Sequence, residues 1–301
     1  MKRLRAIVVH EGGGPDVLEL EEVPDPAASN GQVLVRVEAA AVNHFDITQR
    51  MAPEMTGTIP PYTPGLDAAG TRVDTGERVL VTGAPGAYAE LLAAPAENVR
   101  SIPDSLDFAR AAGLGVAYKT AWAALGDAEL KAGERLLVQA GSSGTGQSAI
   151  DIGRHLGADV YATASSSKHD RLRELGAEPL AYDDERLPEL HAEAVFDPVL
   201  GERLEQSLAA LAPGGRLVTC GALDSPMVSV NMWTVVGNRL RIIGTGAGSV
   251  TPEQLDQLIE LVGKGALRGP VIDRELPLEQ AAEAHRLIEN RETFGKVVLK
   301  P

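Results

Sequence analysis

The sequence predicts an α/β protein in which a doubly wound parallel sheet follows a β-rich region. Three observations carry that expectation. Short β-branched runs crowd the amino-terminal third, strands and helices alternate from Phe108 onward, and a glycine-rich turn joins an apolar strand to a helix. At 301 residues, with 44% hydrophobic and 23% charged residues, the chain has material for two domains of ordinary size.

In the amino-terminal region, residues 6–9, 17–20, 32–37 and 78–81 are strand-like runs bounded by Gly, Pro and Asn. Short strands punctuated in this way suggest a barrel-like or sandwich-like domain. Residues 109–125 are Ala-rich and read as a helix. Residues 135–140 are nearly all apolar, as a parallel strand buried on both faces requires. A helix is expected over 147–156, a strand over 159–163, and a helix over 169–175 that stops at Gly176. Further strands are expected at 179–182, 194–196, 216–220 and 240–243, and helices at 202–211 and 252–262. Repeated strand–helix alternation implies right-handed crossovers in a doubly wound sheet. The tail holds an amphipathic helix over 278–289 and a closing strand over 296–299.

The formal net charge of −14 disfavours nucleic acid and anionic membrane as partners. Cys220 is the single cysteine, so no internal disulfide forms. The amino terminus lacks the apolar core of a signal peptide and no run is long enough for a membrane span, so the expected address is the cytoplasm.

The turn Gly141-Ser142-Ser143-Gly144-Thr145-Gly146 carries the functional signal. A dinucleotide pyrophosphate needs a tight strand-to-helix turn, close backbone approach and a helix amino terminus. The spacing is G-x-x-G-x-G, and its strand–turn–helix context favours cofactor binding over a merely structural turn. The same stretch is one residue from a triphosphate P-loop, but Gln147 stands where that loop needs its lysine. At the end of the next strand an NAD site usually has an acid for the ribose hydroxyls. Here the first acid is Asp170, whereas Ser165, Ser166 and Lys168 suit a 2′-phosphate, with Arg171 as a further candidate. The alternative is a solvated helix start in which Asp170 favours the first turn. NADPH is the expected cofactor.

No metal site is expected: the six histidines are dispersed and only one thiol is available. Cys220, at a strand end, reads as a small core residue rather than a nucleophile. No G-x-S-x-G elbow is present.

These features resemble the zinc-independent quinone oxidoreductases (zeta-crystallin-like) of the medium-chain dehydrogenase/reductase superfamily, over nearly the whole chain. Val42-Asn-His-Phe-Asp-Ile-Thr-Gln-Arg50 is similar to that family's V-N-x-x-D-x-x-x-R segment, and Pro61-Tyr-Thr-Pro-Gly-Leu-Asp-Ala-Ala-Gly70 to its P-x-x-P-G-x-D-x-x-G loop. Gly86-Ala-Tyr-Ala-Glu90, Gly133-Glu-Arg-Leu-Leu-Val138, Phe196-Asp-Pro-Val199, Gly214-Gly-Arg216 and Gly295-Lys-Val-Val298 also fit. The resemblance implies a GroES-like catalytic domain, residues 1–107 with 267–301, into which a Rossmann NADPH-binding domain, residues 108–266, is inserted. It implies that Lys168 meets the 2′-phosphate, that Tyr182 lies near the adenosine, and that Cys220 and Gly221 join the turn in facing the cofactor. Asn43, Asp46 and Tyr62 would sit near the nicotinamide. For Asn43 and Asp46 the alternative is capping of the helix that follows, and Arg50 could be an ion-pair partner of that helix.

Three departures stand out: Ser143 where the family usually has glycine, a shortened connection over 70–78, and His44 where some relatives carry proline. The implied activity is zinc-free hydride transfer from NADPH to a quinone-type acceptor, whose oxygen can take a proton from solvent. An alcohol or saturated carbonyl would more strongly require a zinc ion or an acid. Reduction of an activated enone or enoyl-thioester shares every motif, and NADPH binding without turnover is the rival from another class. The family expectation for assembly is a homodimer.

Overall fold

The structure is a computed structural model and describes residues 3–301. Its contacts divide the chain into two compact units. Unit 1 runs to Val116 and includes Asp256–Gly265 and Pro270–Pro301; unit 2 comprises Ala117–Leu255 and Ala266–Gly269.

In chain order the elements are β1 (Arg3–Val8), β2 (Glu19–Pro24), β3 (Gln32–Ala41), α1 (His44–Met51), β4 (Asp67–Arg72), β5 (Arg78–Thr82), β6 (Leu91–Pro95), β7 (Val99–Ser101) and α2 (Phe108–Asp127). There follow β8 (Arg135–Val138), α3 (Gly144–His155), β9 (Asp159–Thr163), α4 (His169–Glu174), β10 (Glu178–Leu180), β11 (Ala192–Phe196), α5 (Leu204–Ala209) and β12 (Leu211–Thr219). Last come α6 (Met232–Asn238), β13 (Arg241–Gly244), α7 (Pro252–Gly263), β14 (Ile272–Pro277), α8 (Ala281–Glu289) and β15 (Lys296–Lys300).

In unit 1, β1 and β2 form an antiparallel pair, and a seven-stranded sheet runs β14-β15-β3-β4-β5-β7 with β6 also paired to β3. Only the β14–β15 pairing in that sheet is parallel. Buried side chains of unit 1, among them Ile7, Val35, Val81, Leu92, Leu278 and Val297, form one core. Burying a Val or Leu of this kind contributes about 1.5–3 kcal/mol. The shortened segment over 70–78 is a direct β4–β5 hairpin. Gly70 is required there by packing, since a Cβ would lie 1.9 Å from the Arg36 carbonyl oxygen.

In unit 2 all six strands are parallel, in the order β10-β9-β8-β11-β12-β13. Counted along the chain, this order reverses between β8 and β11, the switch point of a doubly wound dinucleotide-binding sheet. Leu136, Leu137 and Val138 of β8 are fully buried. α3 approaches the sheet closely because Gly153 lacks a side chain: a Cβ there would be 2.7 Å from Leu136 Cδ2.

The expected elements mostly recur with shifted ends. The run over 17–20 is divided, because Pro15–Val17 forms a 3₁₀ turn before β2 begins. The helix expected over 202–211 is shorter, because Gly201–Arg203 is a 3₁₀ turn and Leu211 already belongs to β12. β4, β6, β7, β14 and α6 have no counterpart in the expectation. β4 (Asp67–Arg72) is mostly Ala, Gly and charged residues and β6 (Leu91–Pro95) is Leu, Ala and Pro, so neither gives a strong β-branched signal.

Candidate active site and cofactor site

A parallel sheet places the carboxyl ends of its strands along one edge. In unit 2 the glycine turn follows β8, Ser165, Ser166 and Lys168 follow β9, Tyr182 follows β10, and Cys220 and Gly221 follow β12. All the predicted cofactor residues therefore lie along that edge.

The turn is shaped by what its glycines lack. A Cβ on Gly141 would be 2.7 Å from Ala162 Cβ, and one on Gly146 would be 2.3 Å from the Ala140 carbonyl oxygen. Ser143 is the N-cap of α3, and its Oγ accepts the Gly146 N–H at 3.0 Å. The serine that departs from the family pattern thus takes up one donor that glycine would leave free. Gly144 and Thr145 open α3, so no carbonyl of the helix can accept their N–H groups. Those groups and the helix dipole suit a phosphate anion. Gln147 braces the turn by donating from Nε2 to the Ser142 carbonyl at 3.4 Å.

Lys168 Nζ lies 3.5 Å from Ser142 Oγ, which brings the loop after β9 to the turn. Ser165 and Ser166 beside it are exposed. Asp170, the first acid after β9, is 92% exposed and paired with Arg173 at 2.6 Å. Free N–H groups, a cation after β9 and no carboxylate between Thr163 and Lys168 fit a pyridine dinucleotide. Burial pushes the Cys220 thiol up to about 12, which keeps it protonated and unreactive.

Beneath this edge runs a buried chain of hydrogen bonds. The Ala140 N–H donates to Thr163 Oγ1 at 3.2 Å, and that hydroxyl donates to Gln139 Oε1 at 2.6 Å. Gln139 Nε2 donates to Ser207 Oγ at 3.0 Å, and Ser207 donates to Asp197 Oδ2 at 2.7 Å. The ends of β8, β9 and β11 are fixed to one another by side chains that all have partners.

In unit 1 the predicted residues Asn43 and Asp46 belong to a buried cluster. The Asn43 N–H donates to Asp46 Oδ2 at 2.8 Å, one half of a capping box at the start of α1. The Asn43 amide is engaged at both ends: Nδ2 donates to Asp67 Oδ2 at 2.9 Å, and Oδ1 accepts Lys296 Nζ at 2.7 Å. Lys296 also donates to the Val42 carbonyl at 2.7 Å. Asp67 accepts from Thr82 Oγ1 at 2.7 Å and from the Val116 N–H at 2.8 Å. That N–H is freed because α2 breaks at Gly115 (φ −46°, ψ −109°). A Cβ on Gly115 would lie 2.1 Å from Asp67 Oδ1, so the carboxylate occupies the space a side chain would take.

Tyr88 extends the cluster, donating from its hydroxyl to Asp46 Oδ2 at 3.0 Å and lying 3.2 Å from His285 Nε2. Burial pushes Asp46 up to about 7 and His285 down to about 3. Burial likewise lowers Lys296. Arg50 is 1% exposed and pairs with Glu289 at 2.6 and 3.2 Å, so it anchors α1 as an ion-pair partner.

Tyr62 is placed differently. Its backbone bridges Val9, and its covered hydroxyl has no hydrogen-bond partner among the described residues. Burial, then the nearby Asp46 charge, raises it to about 12, so the phenol stays a donor. His44 is the exposed first residue of α1.

Asp67, Tyr88 and Lys296 lie inside sequence blocks that matched the family, yet nothing local gave them a role. His285 had no sequence signal. Among the described residues, the one group of three side chains with metal-ligating atoms in reach is His10, Glu19 and Glu21, on the β1–β2 pair. Among the described residues, no helix is long and apolar enough to cross a membrane.

Comparison with known proteins agrees with both halves of the fold. The alcohol dehydrogenase GroES-like domain family matches residues 29–104, and the zinc-binding dehydrogenase family matches residues 156–299. The quinone oxidoreductase of Mus musculus is 32% identical over 99% of this chain and 98% of its own. An NAD-dependent alcohol dehydrogenase structure superposes with a TM-score of 0.91 at 31% identity, covering 99% of both chains. A mycobacterial protein solved with NADPH gives a TM-score of 0.91 at 29% identity, covering 99% of this chain and 100% of that one. An edge on unit 2 that fits a pyridine nucleotide, a GroES-like region and a full-length likeness lead to one conclusion: the chain is an oxidoreductase of the zinc-independent quinone oxidoreductase family, within the medium-chain dehydrogenases/reductases.

Proposed function

We propose that this oxidoreductase is a cytoplasmic enzyme that uses NADPH to reduce a quinone-type acceptor without a zinc ion. The approach of Lys168 to the glycine turn, in a loop free of carboxylates, carries the choice of NADPH over NADH. The likeness to a quinone oxidoreductase supports the acceptor class.

In this proposal residues 108–266 form the nucleotide-binding domain, and residues 1–107 with 267–301 form the catalytic domain. Gly141 and Gly146 keep the turn narrow enough for backbone to approach the pyrophosphate, which the Gly144 and Thr145 N–H groups hold. Ser142 and Ser143 shape that turn; Ser165, Ser166 and Lys168 hold the 2′-phosphate; Tyr182, Cys220 and Gly221 line the remainder. When bound there, NADPH would supply hydride chemistry, and these residues would orient it. Tyr62, whose hydroxyl stays protonated and has no partner among the described residues, would sit near the nicotinamide. Asn43 and Asp46 act by holding the start of α1, since their polar atoms are mostly engaged inside the protein. Two electrons and one proton arrive with the hydride, and solvent supplies the second proton of the quinol.

The test is loss of NADPH absorbance across a panel of quinones, enones and enoyl-thioesters, with NADH run alongside. Quinone turnover that prefers NADPH is the expected result. Faster turnover of enones or thioesters would reassign the acceptor, and tight NADPH binding without turnover on any acceptor would overturn an enzymatic role. We also propose a homodimer formed at the free edge of β13 and the segment that leads into it, where Ile242 of β13 and the preceding Met227, Met232, Trp233 and Val236 are exposed. Light scattering should give a mass of two chains, and a single-chain mass would refute it.

A further inference from the structure

The loop after β11 is anchored with unusual care for a surface connection. Asp197 is fully buried, and its Oδ1 accepts the N–H groups of both Val199 and Leu200 at 2.9 Å. Leu200 is held at φ 54° and ψ −130°, a conformation that L side chains avoid. Gly201, at φ 59°, packs so closely that a Cβ would be 2.0 Å from Asp224 Oδ2, and that oxygen accepts the Glu202 N–H at 3.2 Å. Strain held in place on both sides of one turn fixes the direction in which the next residue leaves it.

Arg203 follows, two residues after Gly201. Its guanidinium carbon lies 4.1 Å from the centroid of the Tyr182 ring. Gln206 of α5 donates from Nε2 to the Tyr182 carbonyl at 2.6 Å, which secures the tyrosine from the adjoining turn of helix. Arg203 is half-buried and has no carboxylate within ion-pairing distance among the described residues, on a chain with 42 acidic and 28 basic residues. An unpaired cation on such a protein has a reason to be there, and this one sits on an aromatic ring beyond the carboxyl ends of β10 and β11.

We propose that Arg203 and Tyr182 together form the adenine platform of the dinucleotide site, with the adenine stacked on the face of the guanidinium that the tyrosine does not cover. A guanidinium is planar, stacks on aromatic faces, and can carry a nucleobase on its plane. The Tyr182 ring behind it fixes the plane and offsets the cost of holding the charge partly out of water. The platform recognises the base that both dinucleotides share. It rests on the dinucleotide occupying this edge of unit 2, and it is independent of the Lys168 argument for the 2′-phosphate.

The test uses the full chain titrated with NADPH, with NADH and with reduced nicotinamide mononucleotide, which lacks the adenine. Arg203→Ala should weaken NADPH and NADH by the same factor, about tenfold, and leave the mononucleotide unchanged. Arg203→Lys keeps the charge but loses the plane, so it should behave like the alanine variant. Tyr182→Ala should reproduce the loss by an independent route. Loss confined to NADPH would make Arg203 a 2′-phosphate ligand and overturn the platform, as would full retention of binding in Arg203→Lys. A mononucleotide weakened equally would show general damage and refute it too. If the unaltered protein bound neither dinucleotide, the site itself and the platform would fall together, whereas a parent that merely preferred NADH would sink only the Lys168 assignment.

Discussion

Around their candidate sites, and setting aside the buried Arg216–Glu134 pair of unit 2, the two units bury their polar groups in contrasting ways. Unit 1 encloses ionisable groups: Asp67 and Lys296 are linked through the Asn43 amide, and Asp46 and His285 meet through Tyr88. Unit 2 encloses a mainly uncharged chain, Thr163–Gln139–Ser207, which ends on one carboxylate held by two backbone N–H groups. Its candidate ligands for the cofactor, Ser165, Ser166 and Lys168, stand at the rim instead. The contrast teaches that substitutions in unit 1 confound function with folding, while rim substitutions in unit 2 report on binding.

The largest expected effect tests that contrast directly. Lys296→Met leaves Asp67 in a buried site without its compensating charge, and should cost about 3–5 kcal/mol of stability. Gln139→Leu removes one member of the uncharged chain and should cost about 1–3 kcal/mol by stranding its partners. Urea unfolding of the two variants should rank them in that order. Equal or reversed losses would show that the charge in unit 1 is less structural than its geometry indicates.

A smaller effect concerns pH, and here the signs oppose. Asp46 rises from 3.8 to about 7 on folding, so the native state keeps a proton there and its contribution to stability fades as pH climbs through that window. His285 falls from 6.5 to about 3, so the native state sheds a proton and its contribution fades as pH drops from 6.5 towards 3. Asp46→Asn should therefore leave stability rising with pH between about 3 and 6.5, and His285→Gln should leave it falling between about 4 and 7. Urea midpoints collected across pH 4 to 8 check both slopes. Two variants with the parent's profile would remove the titration of this pair from the picture.

Legibility in the sequence follows the same division. The turn from Gly141 to Gly146 and the loop from Ser165 to Lys168 are contiguous, so strand, turn and charge could be read locally. The partners of Asn43 could not: Lys296 is 253 residues away and Asp67 is 24. The break in α2 was hidden for a related reason, since Gly115 lies in an Ala-rich run and only the Asp67 carboxylate reveals what fills its place. Ser143, a departure in sequence, became interpretable as an N-cap once the Gly146 N–H was seen to point at it. Arg203 carries no motif at all, and its place on Tyr182 appears only after β11 and its loop are folded.

The cofactor assignment turns on one side chain at the rim of unit 2, so the most direct measurement compares dinucleotide affinities with and without it. Dissociation constants for NADPH and NADH should be determined for the parent and for Lys168→Glu, with thermal unfolding as the control. The parent should favour NADPH, and the variant should lose NADPH affinity by about 10- to 100-fold while NADH affinity and unfolding stay near their parent values. Unchanged NADPH affinity in Lys168→Glu, or a parent that binds NADH more tightly, would contradict the assignment.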